Sequence, residues 1–130
     1  MKRSVAGQSL VEVALVLPIL LIILLGIFDF GRAVFAFNTV SNSARAAARV
    51  AIVDQSSAAI EAKGKQAAIG LDPTTVDVTS SHDCNLIGCT ATVTVTHQWR
   101  AITPIIGSLV GSIDLKSTTD MPIERVFVSP

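Results

Sequence analysis

The sequence has little charge and no excess of either sign. Only 15% of its 130 residues are charged, and ten lysines and arginines balance ten aspartates and glutamates. Without Lys2 and Arg3, eight basic residues remain against ten acidic ones. A protein that binds nucleic acid usually presents a basic surface, and this composition does not favour one. We therefore expect no nucleic-acid partner.

The chain also lacks the motifs of familiar enzymes. It has no phosphate-binding loop, no nucleophile elbow and no histidine and cysteine pair with an orienting acid. Asp72, Asp77 and Asp83 fit turns and strand edges better than a catalytic site. The length leaves room for one membrane segment and one small domain, which has little space for a pocket. We expect no enzymatic activity, no cofactor and no small-molecule substrate.

One long apolar run dominates the N-terminal part. Between Leu10 and Phe28 the only charged residue is Glu12. As a helix at about 1.5 Å per residue, this run covers roughly 28 Å, close to the hydrocarbon thickness of a bilayer. The two basic residues at the start of the chain favour a cytoplasmic N-terminus and place the part after Asp29 outside. We predict a single-pass protein of the cytoplasmic (inner) membrane with an extracytoplasmic C-terminal domain.

Cysteine is scarce, since Cys84 and Cys89 are the only two. Four residues including Gly88 separate them, a spacing that can close a small loop. In an exported domain such a pair favours the oxidised state. The alternative is a zinc site with His82 and His97, but the spacing matches no zinc-finger pattern. We predict a disulfide and no metal.

The apolar run is a poor secretory signal. Cleavage behind it would fall near Ala33 or Ala36, beyond charged residues. A cut in front of it, after Gly7, would leave Gln8 as the N-terminus and Glu12 as the fifth residue of the mature chain. This order of basic leader, glycine, glutamate at position five and apolar helix resembles the prepilin signal.

Glu12 needs compensation, because a carboxylate in the edge of a hydrocarbon layer costs about a few kcal/mol. In the pilin arrangement its partner would be the free amino group of a neighbouring subunit, which the cleavage itself creates. The alternative is a solvated residue at the cytoplasmic headgroups. We predict that Glu12 is an assembly residue.

The helix is expected to continue beyond the membrane segment to residue 53. Pro18 should kink or loosen it, either as a simple membrane kink or as a point where the helix can stretch in a filament. Asp29 and Arg32 are three residues apart and can pair. An apolar face with three-four spacing is expected to cover the chain's own sheet, and its small residues could also let another backbone approach closely. Its members are Phe30, Val34, Phe37, Ser41, Ala44, Ala48 and Ala51.

A polar stripe lies on the opposite side of this helix. Arg45 and Arg49 follow Asn38 and Asn42 at the same spacing. Arginines on such a stripe can reach carboxylates or carbonyls of a neighbouring subunit. With Pro18, the two arginines are the candidates for helix–helix or partner contact.

The remainder reads as a small α+β domain. A second helix is expected over 56–69, supported by Glu61 and Lys65 at i and i+4 and ended by Gly70. Alternation of valine with threonine predicts strands near 75–79 and 91–97, and a third near 112–119. The apolar segment 102–110 should be a loop with one helical turn, and 121–128 a final edge strand.

The fold class predicted is therefore α+β. It comprises a long, pilin-like N-terminal membrane-spanning helix, a short helix and a small antiparallel β-sheet of three to four strands. The divisions are a leader over 1–7, a transmembrane and extended helix over 8–53, and an extracytoplasmic domain over 54–130.

Several segments together look like the TadE-like family of pseudopilins. They are 7–12, 17–18, 28–32, Asn38 and 42–49. Val13 stands where related major pilins usually carry tyrosine, which argues against a major filament subunit. Ala46 and Ala47 stand where the family often has Glu-Gly, which leaves the role of the arginine stripe open.

The resemblance implies a minor component of the tight-adherence (Tad) pilus machinery, acting in pilus assembly, cell adhesion and biofilm formation. Expected partners are the prepilin peptidase, other pseudopilins and the major pilin of the same system, and the protein could enter an extracellular pilus. The alternative is an uncleaved bitopic anchor whose small domain binds another protein.

Overall fold

The structure is a computed structural model that describes residues 5–126. It has one long and two short helices and three strands within this range. In chain order they are α1 (Val5–Ala51), α2 (Ser57–Ala67), a 3₁₀ turn (Pro73–Thr75), β1 (Val76–His82), β2 (Thr90–Arg100), α3 (Pro104–Val110) and β3 (Ser112–Pro122). The strands form one antiparallel sheet. The predicted α+β class is confirmed.

Helix α1 is continuous but has two different halves. Its 47 residues span roughly 70 Å and run through Pro18 without a break. A single proline removes one backbone donor, and the leucine, isoleucine and alanine around it favour helix strongly enough to carry the element across. Every residue from 7 to 25 is exposed, whereas the second half buries one stripe against the rest of the chain. The domain therefore packs on the second half and leaves the first half uncovered up to residue 25.

The buried stripe differs from the one predicted. Ala44, Ala48 and Ala51 are buried as expected, but Phe30 and Phe37 are 71% and 49% exposed. The observed stripe has the same three-four spacing in another phase and consists mostly of small residues, which let the sheet approach the helix backbone. Its members are Asp29, Ala33, Ala36, Val40, Ala44, Ala47 and Ala51, with Ala33 half-buried. The prediction that Phe30, Val34 and Phe37 cover the domain was wrong.

The sheet has the strand order β1-β2-β3, and β2 lies in its centre. Alternate residues of β2 face α1, so that Val93 and Val95 are completely buried. The threonines between them lie on the other face, where the Thr94 and Thr118 hydroxyls are 2.9 Å apart. This confirms one buried and one polar face, the arrangement that the valine and threonine alternation predicts.

Strand β2 runs antiparallel to α1. Its beginning lies near the C-terminal end of α1, because the N–H of Ile123 donates to the Cys89 carbonyl while that of Glu124 donates to the Ile52 carbonyl. Its end leads into Ile102, whose N–H donates to Asp29 near the middle of α1. The domain therefore has one end at Asp29 and another at Ile52.

Helix α2 packs closely on both α1 and β1. The buried Ser43 hydroxyl donates to the Gly64 carbonyl over 2.6 Å. A Cβ atom on Gly64 would come within 2.7 Å of Val78 Cγ2, so this position needs glycine. The Lys65 ammonium lies 2.6 Å from the Glu61 carboxylate, as the spacing predicts. The helix ends at Ala67, before the predicted residue 69.

Two further expectations about the C-terminal part need correction. Met121 and Pro122 end β3 rather than begin a fourth strand, and no strand follows up to residue 126. The remainder of the predicted fourth strand, 127–128, lies outside the described residues. The segment 104–110, expected as a loop with one turn, is helix α3, because Pro104 suits a first helical position and the Thr103 carbonyl accepts the Gly107 N–H.

Candidate functional site

The apolar half of α1 is the first feature with a functional meaning. Among the described residues it is the one helix long and apolar enough to cross a membrane. Its residues are exposed from 7 to 25, with Leu10 at 72%, and Ile27 is 63% exposed. Because the folded domain does not cover this surface, another apolar phase or other helices must do so. One long apolar N-terminal helix of this kind is consistent with a single-pass membrane anchor.

The predicted processing and assembly residues lie in the first turns of this half. Gly7, Gln8 and Glu12 are all exposed on α1. Glu12 borders an apolar surface hollow formed by residues 13–20 of the same helix. Within the described residues its carboxylate makes no ion pair. A partner for this charge would therefore come from outside residues 5–126 of the same chain.

The arginine stripe is also exposed. Arg45 and Arg49, like Asn38 and Asn42, point away from the residues that α1 buries. Neither arginine side chain makes a hydrogen bond or an ion pair with any other described residue. The two guanidinium groups are thus available to a neighbouring molecule. Pro18 is exposed as well and lies far from the domain.

The junction between the two halves of α1 depends on Asp29, which sequence reasoning had only paired with Arg32. Asp29 is 4% exposed. Its Oδ1 accepts the N–H of Ile102 over 3.1 Å and its Oδ2 accepts that of Thr103 over 3.0 Å. Arg32 Nη1 lies farther away, 3.4 Å from Oδ1. Asp29 therefore ties the start of α3 to the helix.

Helix α3 also contacts α1 at Gly26, three residues before this aspartate. Ile106 Cδ1 lies 3.5 Å from the position that a Cβ on Gly26 would take, and Gly26 is half-buried. The sequence holds two signals for this junction. One is a lone acid in a stripe of small residues, and the other is the helix start Thr103-Pro104, whose first amides need acceptors. Neither signal identifies its partner without the fold.

The disulfide loop lies at the opposite end of the sheet. Cys84 and Cys89 are joined, with their Cα atoms 5.7 Å apart. Gly88 adopts φ +92°, which a glycine accommodates readily, and its N–H donates to the Ile123 carbonyl over 2.9 Å. Because both sulfurs are bonded to each other, they offer no thiolate to a metal. Across residues 5–126 no three side chains of ligating type converge.

A cavity of about 320 Å³ lies beside the junction. It is bordered by Arg32 of α1 and by His97 and Trp99 of β2. The His97 Nδ1 is 3.0 Å from the Thr75 hydroxyl, an interaction that holds the turn before β1. The Trp99 indole N–H has no hydrogen-bond partner among the described residues. This arrangement supports packing of the turn against the strand.

The turn before β1 is stabilised by a charged group. The hydroxyl and then the backbone N–H of Thr74 donate to the Asp72 carboxylate, at 2.7 and 2.9 Å. These hydrogen bonds lower the pKa of Asp72 from its ordinary value of 3.8, and His97 acts in the same direction. Asp54 caps the turn before α2 in the same way. Hydrogen bonding from the Ser56 side chain and then from the Ser56 N–H, which lies 2.9 Å from the Asp54 carboxylate, lowers the pKa of Asp54.

These features define the class of protein. It has one long apolar helix suited to a membrane, which continues into a small α+β domain. The side chains of Glu12, Arg45 and Arg49, unpaired among the described residues, lie on the exposed surface of that helix. Residues 7–49 match the family model described as TadE-like protein, which covers about a third of the chain and lies wholly within α1. The resemblance to this family is confirmed over those residues, and it suggests a protein associated with the Tad pilus. Comparison with curated proteins and with solved structures gave no match.

Proposed function

We propose that this chain is a minor pseudopilin of a tight-adherence pilus system. It would act structurally, in pilus assembly and through it in adhesion and biofilm formation. The observation that carries the proposal is the division of α1: the TadE-like segment is one unbroken helix that is apolar and exposed in its first half and bears the domain on its second half. Helices of this form can pack side by side while their domains remain outside.

The proposal includes removal of residues 1–7 by a prepilin peptidase. Gly7 and Gln8 are exposed, so the bond between them is accessible at the membrane edge. The test is the intact mass of the protein purified from membranes of cells with and without the peptidase. A start at Gln8 only when the peptidase is present supports the proposal. Gly7→Val should prevent the cut, whereas Gly31→Val, which changes a glycine with nothing near its Cβ position, should not.

A start at Met1 in both kinds of cell would contradict processing. The chain would then be an uncleaved bitopic anchor with a protein-binding domain. The structure has one feature that favours this second candidate: Leu86 and Ile87 are 67% and 72% exposed at the tip of the disulfide loop. Apolar side chains on a loop tip are suited to contact with another protein.

In the pseudopilin proposal Glu12 binds the amino group of a neighbouring subunit. Glu12→Ala should leave cleavage intact and reduce the amount of other pseudopilins and major pilin that co-purifies. Val13→Ala on the next position, also exposed, is the matched control. Normal co-purification with Glu12→Ala would argue that the carboxylate is only a solvated boundary residue.

The arginine stripe supplies a second partner contact in this proposal. Arg45→Glu with Arg49→Glu reverses two exposed charges that make no interaction within the described residues, so the domain should fold normally. Cross-linking to the other subunits should fall, while the same change at Lys63 on the exposed side of α2 should have no effect. Equal cross-linking by all variants would show that these arginines do not contribute to the interface.

A further inference from the structure

We propose that α3 and its flanking residues form a second membrane contact that inserts into the outer leaflet beside α1. The membrane-contact segment is defined here as residues 101–111. The inference rests on the proposed membrane anchoring of α1 and extends it from one helix to part of the domain. Four observations support it. They are the depth of α3 along α1, the apolar surface of the segment, the hydrogen bonds of its polar groups, and its continuity with the apolar half of α1.

The first observation is the depth at which α3 is fixed. Asp29 is the first residue after the uncharged run and holds the N–H groups of Ile102 and Thr103. Ile106 contacts Gly26, which lies three residues earlier in α1, roughly 4.5 Å closer to the bilayer centre. If residues 10–28 of α1 lie in the hydrocarbon, α3 must lie at the level of the outer headgroups or closer to the bilayer centre. A segment at this depth has to be compatible with lipid.

The second observation is the surface that the segment presents. No charged residue occurs between Arg100 and Asp114. Ile102 and Leu109 are 72% and 81% exposed, and Val110 is 49% exposed. These side chains would be unfavourable in water, and they resemble the apolar face that interfacial segments bury about 5–10 Å into the headgroup and acyl boundary.

The third observation is that polar groups of the segment have partners. Thr103 is 5% exposed. The Ser108 hydroxyl donates to the Ile105 carbonyl over 2.9 Å, and the Gly107 N–H donates to the Thr103 carbonyl over 2.7 Å. The Asp29 carboxylate accepts the N–H groups of Ile102 and Thr103, which lie just before α3 and have no acceptor within that helix. Each of these bonds reduces the cost of moving backbone and hydroxyl groups from water into the interface.

The fourth observation concerns the neighbours of the segment. Apolar residues of α1 lie on its membrane side, and two arginines lie just beyond Asp29. Phe28 and Phe30 are 70% and 71% exposed at the level of the junction, so apolar surface extends from α1 onto the segment. Arg32 and Arg100 line one cavity just beyond Asp29. Arginines at this level suit lipid phosphates. Lipid, rather than a protein partner, therefore fits the apolar surface and its charged border together.

The test measures depth in lipid vesicles that contain the full chain. Leu109→Cys and Val53→Cys are each labelled with a polarity-sensitive fluorophore, with the native disulfide kept oxidised. Lipids carry a nitroxide quencher at the headgroup or in the acyl chain. Val53 is also apolar and exposed, but it follows α1, whose last residue lies roughly 33 Å of helix beyond Asp29.

We expect the label at position 109 to be quenched several-fold more strongly than that at position 53. If neither label is quenched although α1 resists carbonate extraction, the inference is wrong while the membrane anchor stands. A label at 109 that is shielded from water but not quenched by lipid would indicate a protein partner and would also overturn the inference. Release of the whole protein by carbonate would refute the anchor, and the inference with it.

Discussion

At the scale of single residues, close contacts at small side chains hold the domain on α1. Ser43 and Gly64 are buried where α1 and α2 cross, and the hydroxyl of one donates to the carbonyl of the other. Gly64 also allows α2 to approach Val78 of β1. A glycine in the middle of a helix lowers helix propensity by up to about 1 kcal/mol. Here it is required because three elements meet at one point.

This contact predicts the effect of adding one methyl group. Gly64→Ala would place Cβ 2.7 Å from Val78 Cγ2, and such overpacking costs about 1–3 kcal/mol, which exceeds the gain in helix propensity. The free energy of unfolding should therefore fall by about 1 kcal/mol, measured by urea titration in detergent with Trp99 as the fluorescent probe. Gly31→Ala, where nothing lies within 4 Å, is the control and should be neutral or slightly stabilising.

A double variant separates the clash from a loss of flexibility. Val78→Ala removes the two methyl groups that a Cβ on Gly64 would meet at 2.7 and 3.0 Å and leaves only an ordinary contact with Cβ at 3.4 Å. Gly64→Ala with Val78→Ala should therefore be more stable than the sum of the two single changes predicts. Additive losses would show that another contact makes glycine necessary.

The Asp72 turn predicts a dependence on pH. Hydrogen bonds from Thr74 lower the pKa of Asp72, so the folded state favours the carboxylate more than the unfolded state does. This contribution is present above the ordinary pKa of 3.8 and is lost as the pH falls through the folded value. Asp72→Ala should lower Tm at neutral pH, and the difference from the native chain should shrink as the pH falls below 3.8.

The control for this prediction is Asp120→Ala on the polar face of the sheet. Asp120 is exposed, and its carboxylate makes no hydrogen bond or ion pair within the described residues. It should change Tm little at any pH. A Tm difference for Asp72→Ala that stays constant into acid would mean that the turn does not depend on the carboxylate charge.

At the scale of elements, most of the secondary structure could be predicted because its signals are local. The apolar run and the valine and threonine alternation report directly on helix and strand. The phase of the buried stripe on α1 could not be read in the same way, because 29, 33, 36 and 40 have the same spacing as Phe30, Val34 and Phe37. The choice depends on which surface the sheet can approach, and small side chains allow the closer approach.

The junction at Asp29 lay beyond sequence reasoning for a related reason. Its partners, the N–H groups of Ile102 and Thr103, are more than 70 residues away along the chain. Arg32, three residues away, was the local partner that spacing suggests. The fold adds two amide donors, which a carboxylate binds well because they converge at a helix start.

Asp29 should therefore control the order of α3. Asp29→Asn keeps the shape but loses the charge and one acceptor, since an amide nitrogen cannot accept an N–H. We expect hydrogen exchange to accelerate at 102–107 and to stay unchanged in β1 and β2. Asp114→Asn, on an exposed position of β3, is the control. Equal protection of α3 in both variants would show that Ile106 and Gly26 alone hold this helix.

At the scale of the whole molecule, the domain has one end next to the apolar half of α1 and a second, remote end. Because β2 runs antiparallel to α1, Arg100 and α3 lie by Asp29, and the disulfide loop lies by Ile52. The charged leader is expected on the opposite side of the bilayer from both. In the two proposals above, the first end meets lipid through α3, while the arginine stripe and the loop tip meet other proteins.

The orientation of the whole chain gives the last prediction. With the N-terminus in the cytoplasm, alkaline phosphatase fused after Pro130 should be active, because that enzyme needs export. Cys84 and Cys89 should resist alkylation in intact cells, because they are oxidised. Lys2→Glu with Arg3→Glu should lower phosphatase activity by weakening the charge difference that orients the helix. Lys63→Glu with Lys116→Glu makes the same charge change within the domain and should have no effect. Inactive fusions together with reactive thiols would place the domain in the cytoplasm. The cytoplasm keeps thiols reduced, and the proposed role in pilus assembly requires the domain outside the membrane, so this result would contradict both the disulfide and that role.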